Sequence, residues 1–243
     1  MPELANLVAI VTGGTGAIGS AICRVFVREG ARVAFTYSKS SERAGSLARE
    51  LGDSGRAFQV SVVDGPGLER LVADVVGQWG QVDILVNNAA IAQVLALPLI
   101  DEEDLDQMLA VNVKGPFLVT KAVVRTMIQR RSGSIINIGS LAGERIMEVP
   151  PHYAATKCAM GGLTASLAWE LKRYNIRVNC VVPGLIEGGV GVNVPEKQRK
   201  QYEQYATVGR LGRPEEVAEV VSFLASARAS FINGQKVHVD GGI

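Results

Sequence analysis

The 243-residue sequence has only three cysteines, Cys23, Cys158 and Cys180. They are far apart, odd in number and form no CxxC or metal-ligand spacing. A disulfide framework and a cysteine-bound metal are thereby excluded, and free buried thiols are expected. Charge of one sign is also lacking: 25 Lys+Arg face 24 Asp+Glu, a formal net charge of +1. That balance gives no bulk attraction to nucleic acid or an anionic membrane. The longest uncharged run, residues 84–100, is interrupted by Asn87, Asn88, Gln93 and Pro98 and makes a poor membrane span. Residues 1–14 have no basic n-region and reach glycine too soon for a signal peptide. A soluble cytoplasmic protein is expected. No linker, composition shift or repeat divides residues 1–243, which read as one domain. The acidic run Asp101-Glu102-Glu103-Asp104 reads as a helix start, so no metal site is expected.

Apolar residues make up 47% of the chain, enough for a sizeable core, and 27 glycines punctuate it. Short β-branched runs alternate with longer helical patterns. Strands are predicted at 7–12, 33–37, 57–63, 82–87, 134–139, 177–182 and 236–239. Helices are predicted at 17–29, 40–51, 68–79, 102–130, 153–174, 195–205 and 214–225. Gly30 is the expected C-cap of the first helix, and Asp101 the N-cap of the fourth. Gly115 and Pro116 should bend or split that fourth helix. Such alternation predicts an α/β fold: a parallel sheet of about seven strands with helices on both faces.

The first strand runs into Thr12-Gly13-Gly14-Thr15-Gly16-Ala17-Ile18-Gly19 and then a helix. Glycines there permit a tight turn and close approach of a pyrophosphate to a helix N-terminus. Gly13, Thr15, Gly16 and Ile18 are therefore candidate cofactor residues. An acid about 20 residues further on would favour NAD by binding the ribose 2′-OH. The second strand instead ends in Tyr37-Ser38-Lys39-Ser40-Ser41, and the first acid is Glu42. A lysine flanked by hydroxyls suits a 2′-phosphate, so Tyr37, Ser38 and Lys39 point to NADP(H). Arg32, at the start of that strand, stands at the wrong edge.

Tyr153 and Lys157 lie four apart on a predicted helix and share a face. An ammonium beside a phenol favours the phenolate and should lower the Tyr153 pKa from about 10, as a general acid/base needs. Ser140 ends a strand, Asn87-Asn88-Ala89-Ala90 ends another, and Asn112 lies in VNVKGPF. Strand C-termini of a parallel sheet share one edge, where ligands bind. Together with Pro183-Gly184 and the terminal Val239-Asp240-Gly241-Gly242, these motifs resemble the short-chain dehydrogenase/reductase family over essentially the whole chain.

The resemblance implies a single Rossmann-type, doubly wound sheet and assigns roles. Tyr153 would protonate the substrate carbonyl. Lys157 would lower the Tyr153 pKa and bond the nicotinamide ribose. Ser140 would orient the carbonyl, and Asn112 would hold the water of a proton relay. Asn88 and Ala89 would pass beside the cofactor, Val62 would supply a backbone or apolar contact to it, and Pro183, Gly184 and Ile186 would flank the nicotinamide. Four positions depart from the family pattern: Ala17 for glycine, NNAA for NNAG, Ser61 for an aspartate, and Gly188 for a carboxamide-binding threonine.

Within the family, the run Val208-Gly209-Arg210-Leu211-Gly212-Arg213-Pro214-Glu215-Glu216 and the VDGG terminus resemble 3-oxoacyl-thioester reductases of fatty-acid synthesis. An acidic acyl-carrier protein would then dock at Arg130, Arg131, Lys172 and Arg173, whose other reading is two solvated helix ends. Residues 186–208 would form a substrate lid. Ile146, Met147 and Val149 would line an acyl pocket. His152 reads as a pocket-wall or surface residue rather than a base, and His238 as structural. The family implies a homotetramer built through the Tyr153 helix and the last strand, and the face of Ala159, Gly162, Leu163, Ser166 and Leu167 suits helix packing. Two alternatives stay open: a dehydrogenase of a sugar, polyol, steroid or polyketide alcohol, and a non-catalytic dinucleotide sensor.

Overall fold

In the computed structural model, which describes residues 2–145 and 147–243, the β-branched runs form seven parallel strands. These are β1 (Val8–Val11), β2 (Arg32–Tyr37), β3 (Gly55–Gln59), β4 (Ile84–Asn87), β5 (Gly133–Ile138), β6 (Ile176–Pro183) and β7 (Lys236–Val239). They pair in the order β3-β2-β1-β4-β5-β6-β7. Parallel neighbours need a crossover, and helices supply it: α1 (Ala17–Arg28), α2 (Ser41–Leu51), α3 (Gly65–Trp79), α4 (Glu102–Leu109), α5 (Gly115–Arg130), α6 (Pro151–Leu171), α7 (Glu196–Tyr205) and α8 (Pro214–Ala225). Ile146, expected in the acyl pocket, lies outside the described residues.

The two-residue period of a strand sorts the core into two layers. Ala9, Val11, Val33 and Phe35 face α1 and α8 and pack with Ile22, Phe26, Val217 and Val221. Val8, Ile10, Leu85 and Ile135 face the other way, against Leu68, Val75, Val119, Val123 and Leu171 of α3, α5 and α6. Both faces are covered, so the strands read as continuous apolar runs. β1 continues to β2 on one side and pairs with β4 on the other, which makes the β1–β4 junction the switch point of the sheet.

Local chemistry moves several expected boundaries. β3 starts at Gly55 and ends at Gln59, not at residue 63. The chain turns there: the Asp64 N–H donates to Ser61 O, and the Asp64 carboxylate caps α3 by accepting from the Gly67 N–H at 3.1 Å. α3 therefore begins at Gly65, earlier than its apolar stripe suggests. The expected 102–130 helix does split, and the break is a π-helical turn over Ala110–Lys114. The Gly115 N–H there reaches back to Ala110 O. Pro116 has no N–H to give the Asn112 carbonyl, so the α-helical ladder fails at that point.

Gly19 marks the closest approach of α1 to the turn above it. A Cβ on Gly19 would stand 2.3 Å from Gly13 O and 2.7 Å from Asn88 Nδ2. Gly19→Ala is expected to destabilise the fold by about 1–3 kcal/mol through overpacking. A lowered midpoint of thermal or urea unfolding checks it; an unchanged midpoint would show that the turn yields freely.

Candidate active site

The glycine turn is held from beneath by side chains that the sequence does not flag. Thr36 accepts the Gly14 N–H on its carbonyl at 2.9 Å and the Gly13 N–H on its hydroxyl at 3.3 Å. Thr12 Oγ1 accepts both the Asn88 and Ala89 N–H groups at 3.0 Å and donates to Val86 O. Asn88 Nδ2 donates to Thr12 O and Gly13 O, at 2.8 and 3.1 Å. The Asn88 NH2 is thus spent on the turn.

This turn fits a dinucleotide. α1 has Gly16 as its N-cap with no side-chain cap bond, so its first N–H groups are left to an anion. Gly16 is exposed, and a Cβ there would meet only Gly13 O at 3.4 Å. Thr15 and Ile18 lie half-buried on the same turn. At the end of β2, Tyr37 is half-buried while Ser38 and Lys39 are exposed. Lys39 forms no ion pair among the described residues, although salt bridges are common elsewhere on the chain.

Two candidate cofactor positions have side chains packed into the core. The Val62 side chain is buried against α5, where a Cβ on Gly115 would meet its Cγ2 at 2.7 Å. Ile186 is buried too, bridged to Gly212 and filling the space a Gly212 Cβ would take. Pro183 is buried at the end of β6, and Gly184 follows it with its N–H bonded to Val239 O.

The four candidate catalytic residues converge on this carboxyl edge. Asn112 lies in the π-helical turn and is 2% exposed. Its Oδ1 accepts the Ile91 N–H at 2.9 Å, and its Nδ2 donates to Ile91 O and Thr156 Oγ1. Thr156 in turn donates to Tyr153 O at 2.8 Å. Ser140 follows β5 with extended backbone, and its hydroxyl accepts the Ala142 N–H at 3.1 Å. Lys157 is buried, donates to Ile138 O at 3.0 Å and lies 5.9 Å from the Tyr153 ring centroid.

The electrostatic balance differs from the expected one. Burial raises the Tyr153 pKa above its usual 10, and the neighbouring Ser140 hydroxyl opposes it. The Lys157 ammonium lies towards the ring face and is bonded to Ile138 O, so it does not overturn the effect of burial. Burial also lowers the Lys157 pKa, from 10.5 to about 8. His152, expected as a wall or surface residue, is buried at 4% exposure and bonded to Gln93. His238 is exposed on β7 rather than structural. The residues missed by sequence reasoning (Thr12, Thr36, Thr156, Gln93) are polar groups whose partners lie far off in the chain.

The four basic residues expected to dock a carrier lie elsewhere. Arg130 and Arg131 end α5, and Lys172 and Arg173 follow α6, at the opposite edge of the sheet from Ser140. At 1.5 Å per helical residue, Lys172 is about 28 Å along α6 from Tyr153. Arg130 lies 3.4 Å from the Asp83 carboxylate, and Arg131 donates to Arg173 O. Residues 186–208 comprise a 3-10 turn at Gly189–Asn193 and α7, entered through Gly188 at φ +76. That left-handed backbone excludes a β-branched threonine there without strain. Tyr202 anchors the segment by donating to Asp240 O at 2.7 Å.

A buried ammonium costs stability while it is charged. A shift from 10.5 to about 8 corresponds to roughly 3 kcal/mol, borne by the folded state below pH 8. The cost fades as pH rises from about 8 to 10.5, where the unfolded chain binds the extra proton. Lys157→Met forfeits the bond to Ile138 O, about 1 kcal/mol. The variant is expected to unfold at a higher temperature than the parent at pH 7, with the gain shrinking above pH 8. A loss of equal size at every pH would contradict the burial argument.

A family model described as Enoyl-(Acyl carrier protein) reductase matches residues 14–243. The chain is 40% identical over 244 residues to the "3-oxoacyl-[acyl-carrier-protein] reductase FabG" of Thermotoga maritima, covering 99% of each. It is 36% identical over 241 residues to the protein of that name in Vibrio cholerae, covering 99% of this chain and 98% of the other. A "Sorbitol dehydrogenase" of Cereibacter sphaeroides is 38% identical over 246 residues, covering 96% of each. Full-length identity at this level, on a seven-stranded parallel sheet with the glycine turn at its switch point, makes the chain an oxidoreductase of CH–OH groups that uses a nicotinamide cofactor: it belongs to the short-chain dehydrogenase/reductase family.

Proposed function

We propose that this chain reduces 3-oxoacyl thioesters to 3-hydroxyacyl thioesters with NADPH. The observation that carries the reading is the apolar rim of the carboxyl edge. Val94, Leu97 and Leu99 are 60%, 69% and 68% exposed on the uncharged loop after β4, and Met147 and Val192 are exposed on the loops before α6 and α7. A sugar or polyol needs hydrogen-bonding side chains at such positions, whereas an acyl chain gains from apolar ones. The relatives named 3-oxoacyl-[acyl-carrier-protein] reductase favour the same substrate. The relative named sorbitol dehydrogenase favours a polyol as the second reading.

The residues then divide the work. Gly13, Thr15, Gly16 and Ile18 receive the pyrophosphate, and Tyr37, Ser38 and Lys39 receive the 2′-phosphate. Val62, Asn88, Ala89, Pro183, Gly184 and Ile186 line the cofactor through backbone and small contacts. The bound nicotinamide supplies the hydride. Ser140 holds the carbonyl oxygen, and Tyr153 gives it a proton; the raised phenol pKa keeps that proton in place until the oxygen takes on negative charge. Lys157, with a pKa of about 8, passes a proton back to Tyr153. The Asn112 side chain is fully engaged, which leaves its carbonyl, without a Pro116 N–H, to hold the relay water. Residues 186–208 close over the substrate as a lid.

The carrier and the oligomer belong to the same reading, as does a cytoplasmic location: among the described residues no helix is long and apolar enough to cross a membrane. Phe117 on α5 and Trp169 on α6 are exposed, as is the small-residue stripe Ala155, Cys158, Gly162 and Ala165. Leu163 and Leu167 of the expected face pack instead into their own core. A two-fold axis across the middle of α6 would run two copies antiparallel. Arg130, Arg131, Lys172 and Arg173 of one copy would then guide an acidic carrier to the site of the other, within a homotetramer.

Oxidation of NADPH and NADH with acetoacetyl-CoA tests the reading. NADPH turnover is expected, falling at least about 10²-fold in Tyr153→Phe. Lys39→Ala should weaken NADPH by about tenfold or more and leave NADH unchanged. Oxidation of sorbitol with NAD, without acetoacetyl-CoA reduction, would transfer the assignment to the polyol reading.

A further inference from the structure

The first turn of α6 holds a second buried polar side chain next to Tyr153. His152 Nε2 lies 3.1 Å from Gln93 Oε1. Gln93 Nε2 donates to Asp104 Oδ1 at 2.6 Å, and Asp104 belongs to the capping box that starts α4. The other ring nitrogen, Nδ1, is buried with no partner. The acceptor at the far end orders this chain. A carboxylate only accepts, so Gln93 turns its NH2 to Asp104 and its oxygen to the imidazole. That oxygen only accepts as well, so the histidine proton resides on Nε2. The proton is committed to Gln93 and is not offered to substrate.

The chain joins three segments around the reaction centre: the loop after β4, the start of α4 and the start of α6. Asn112 grips the same loop two residues earlier, at Ile91, and reaches α6 through Thr156. Tyr153 therefore lies between two clamps. One acts through Thr156 on its carbonyl, and the other through the preceding residue. We propose that His152, as the Nε2–H tautomer bonded to Gln93, is a positioning residue that sets the Tyr153 phenol against the loop after β4. The inference rests on Tyr153 being the proton donor and is independent of which carbonyl is reduced. A misplacement of about 1 Å at a reacting group can cost up to about a hundredfold in rate, which is the lever this clamp works on.

Conservative variants separate positioning from mere support. His152→Gln keeps an N–H donor near the Nε2 position. His152→Asn shifts the amide to the Nδ1 position and drops the bond to Gln93; Gln93→Ala removes the acceptor. Long-range ¹H–¹⁵N correlation on histidine-labelled whole protein, with His238→Asn to assign the two rings, should find His152 as the Nε2–H tautomer. His152→Asn and Gln93→Ala should each lower kcat for acetoacetyl-CoA about tenfold, with NADPH affinity unchanged. Both should move the Tyr153 phenol titration, read by ultraviolet difference against Tyr153→Phe. His152→Gln should restore both readouts, and the double variant should be no worse than the worse single one, since both cut one chain. An Nδ1–H tautomer, or an unmoved phenol titration in variants that bind NADPH normally, would overturn the proposal. If the parent left acetoacetyl-CoA untouched, the substrate reading would fail, while the tautomer and the phenol titration would still decide the clamp.

Discussion

A single buried carboxamide holds the catalytic edge together. Asn112 uses its oxygen and both amide hydrogens on the loop after β4 and on α6, and it can do so only because a π-helical turn aims it inward. Such a turn costs regular helix bonding and persists where the surroundings over-determine it. Here three bonds and the missing N–H of Pro116 do so. The position of Tyr153 follows from Thr156, which Asn112 holds, and the position of Ile91 follows from the same side chain.

Below that edge, a second polar chain fixes the seat of α6. Asn87 Nδ2 donates to Thr120 Oγ1 and Asn137 Oδ1, Asn137 Nδ2 donates to Thr164 Oγ1, and Thr164 donates to Met160 O. These groups are buried between β4, β5, α5 and α6 and the bonded atoms would be costly unpaired; Asn87 Oδ1 is the one buried side-chain atom of this polar chain without a partner among the described residues. Apolar packing alone would let α6 slide along the sheet. The hydrogen bonds give it one register, and with it one distance between Lys157 and the end of β5.

The outline of the fold is legible because strand and helix periods are local properties. Seven apolar runs, each ended by turn residues, suffice to predict the parallel sheet, and the glycine turn announces its switch point. Asp64 shows where legibility fails. Its capping of α3 ends β3 early, and nothing in the apolar pattern of residues 57–63 reveals it. The turning of the Val62 and Ile186 side chains into the core does not show in the sequence, because it depends on Gly115 and Gly212 far along the chain. Gln93 looks like loop filler until Asp104 and His152 are seen on either side of it. The ionisation of Tyr153 depends on the depth of the cleft, which spacing along a helix does not encode. The four cations of α5 and α6 cluster in sequence and in space, yet at the edge away from Ser140, because a helix long enough to cross the sheet carries its two ends to opposite sides.

Strand order also dictates when the enzyme can come into being. β1 lies at the centre of the sheet, but its partner β4 follows about 75 residues later, after the three crossovers of α1, α2 and α3. While the chain grows on the ribosome, β1 exposes one unpaired flank until residue 87 has emerged. The groups that hold Tyr153 come later still, spread from Gln93 to Thr164. The glycine turn and its supports lie within residues 12–89, whereas Tyr153 and Lys157 have no seat until α6 docks. Long-range pairing of this kind is slow, because the entropy of a long loop is lost before its contacts form.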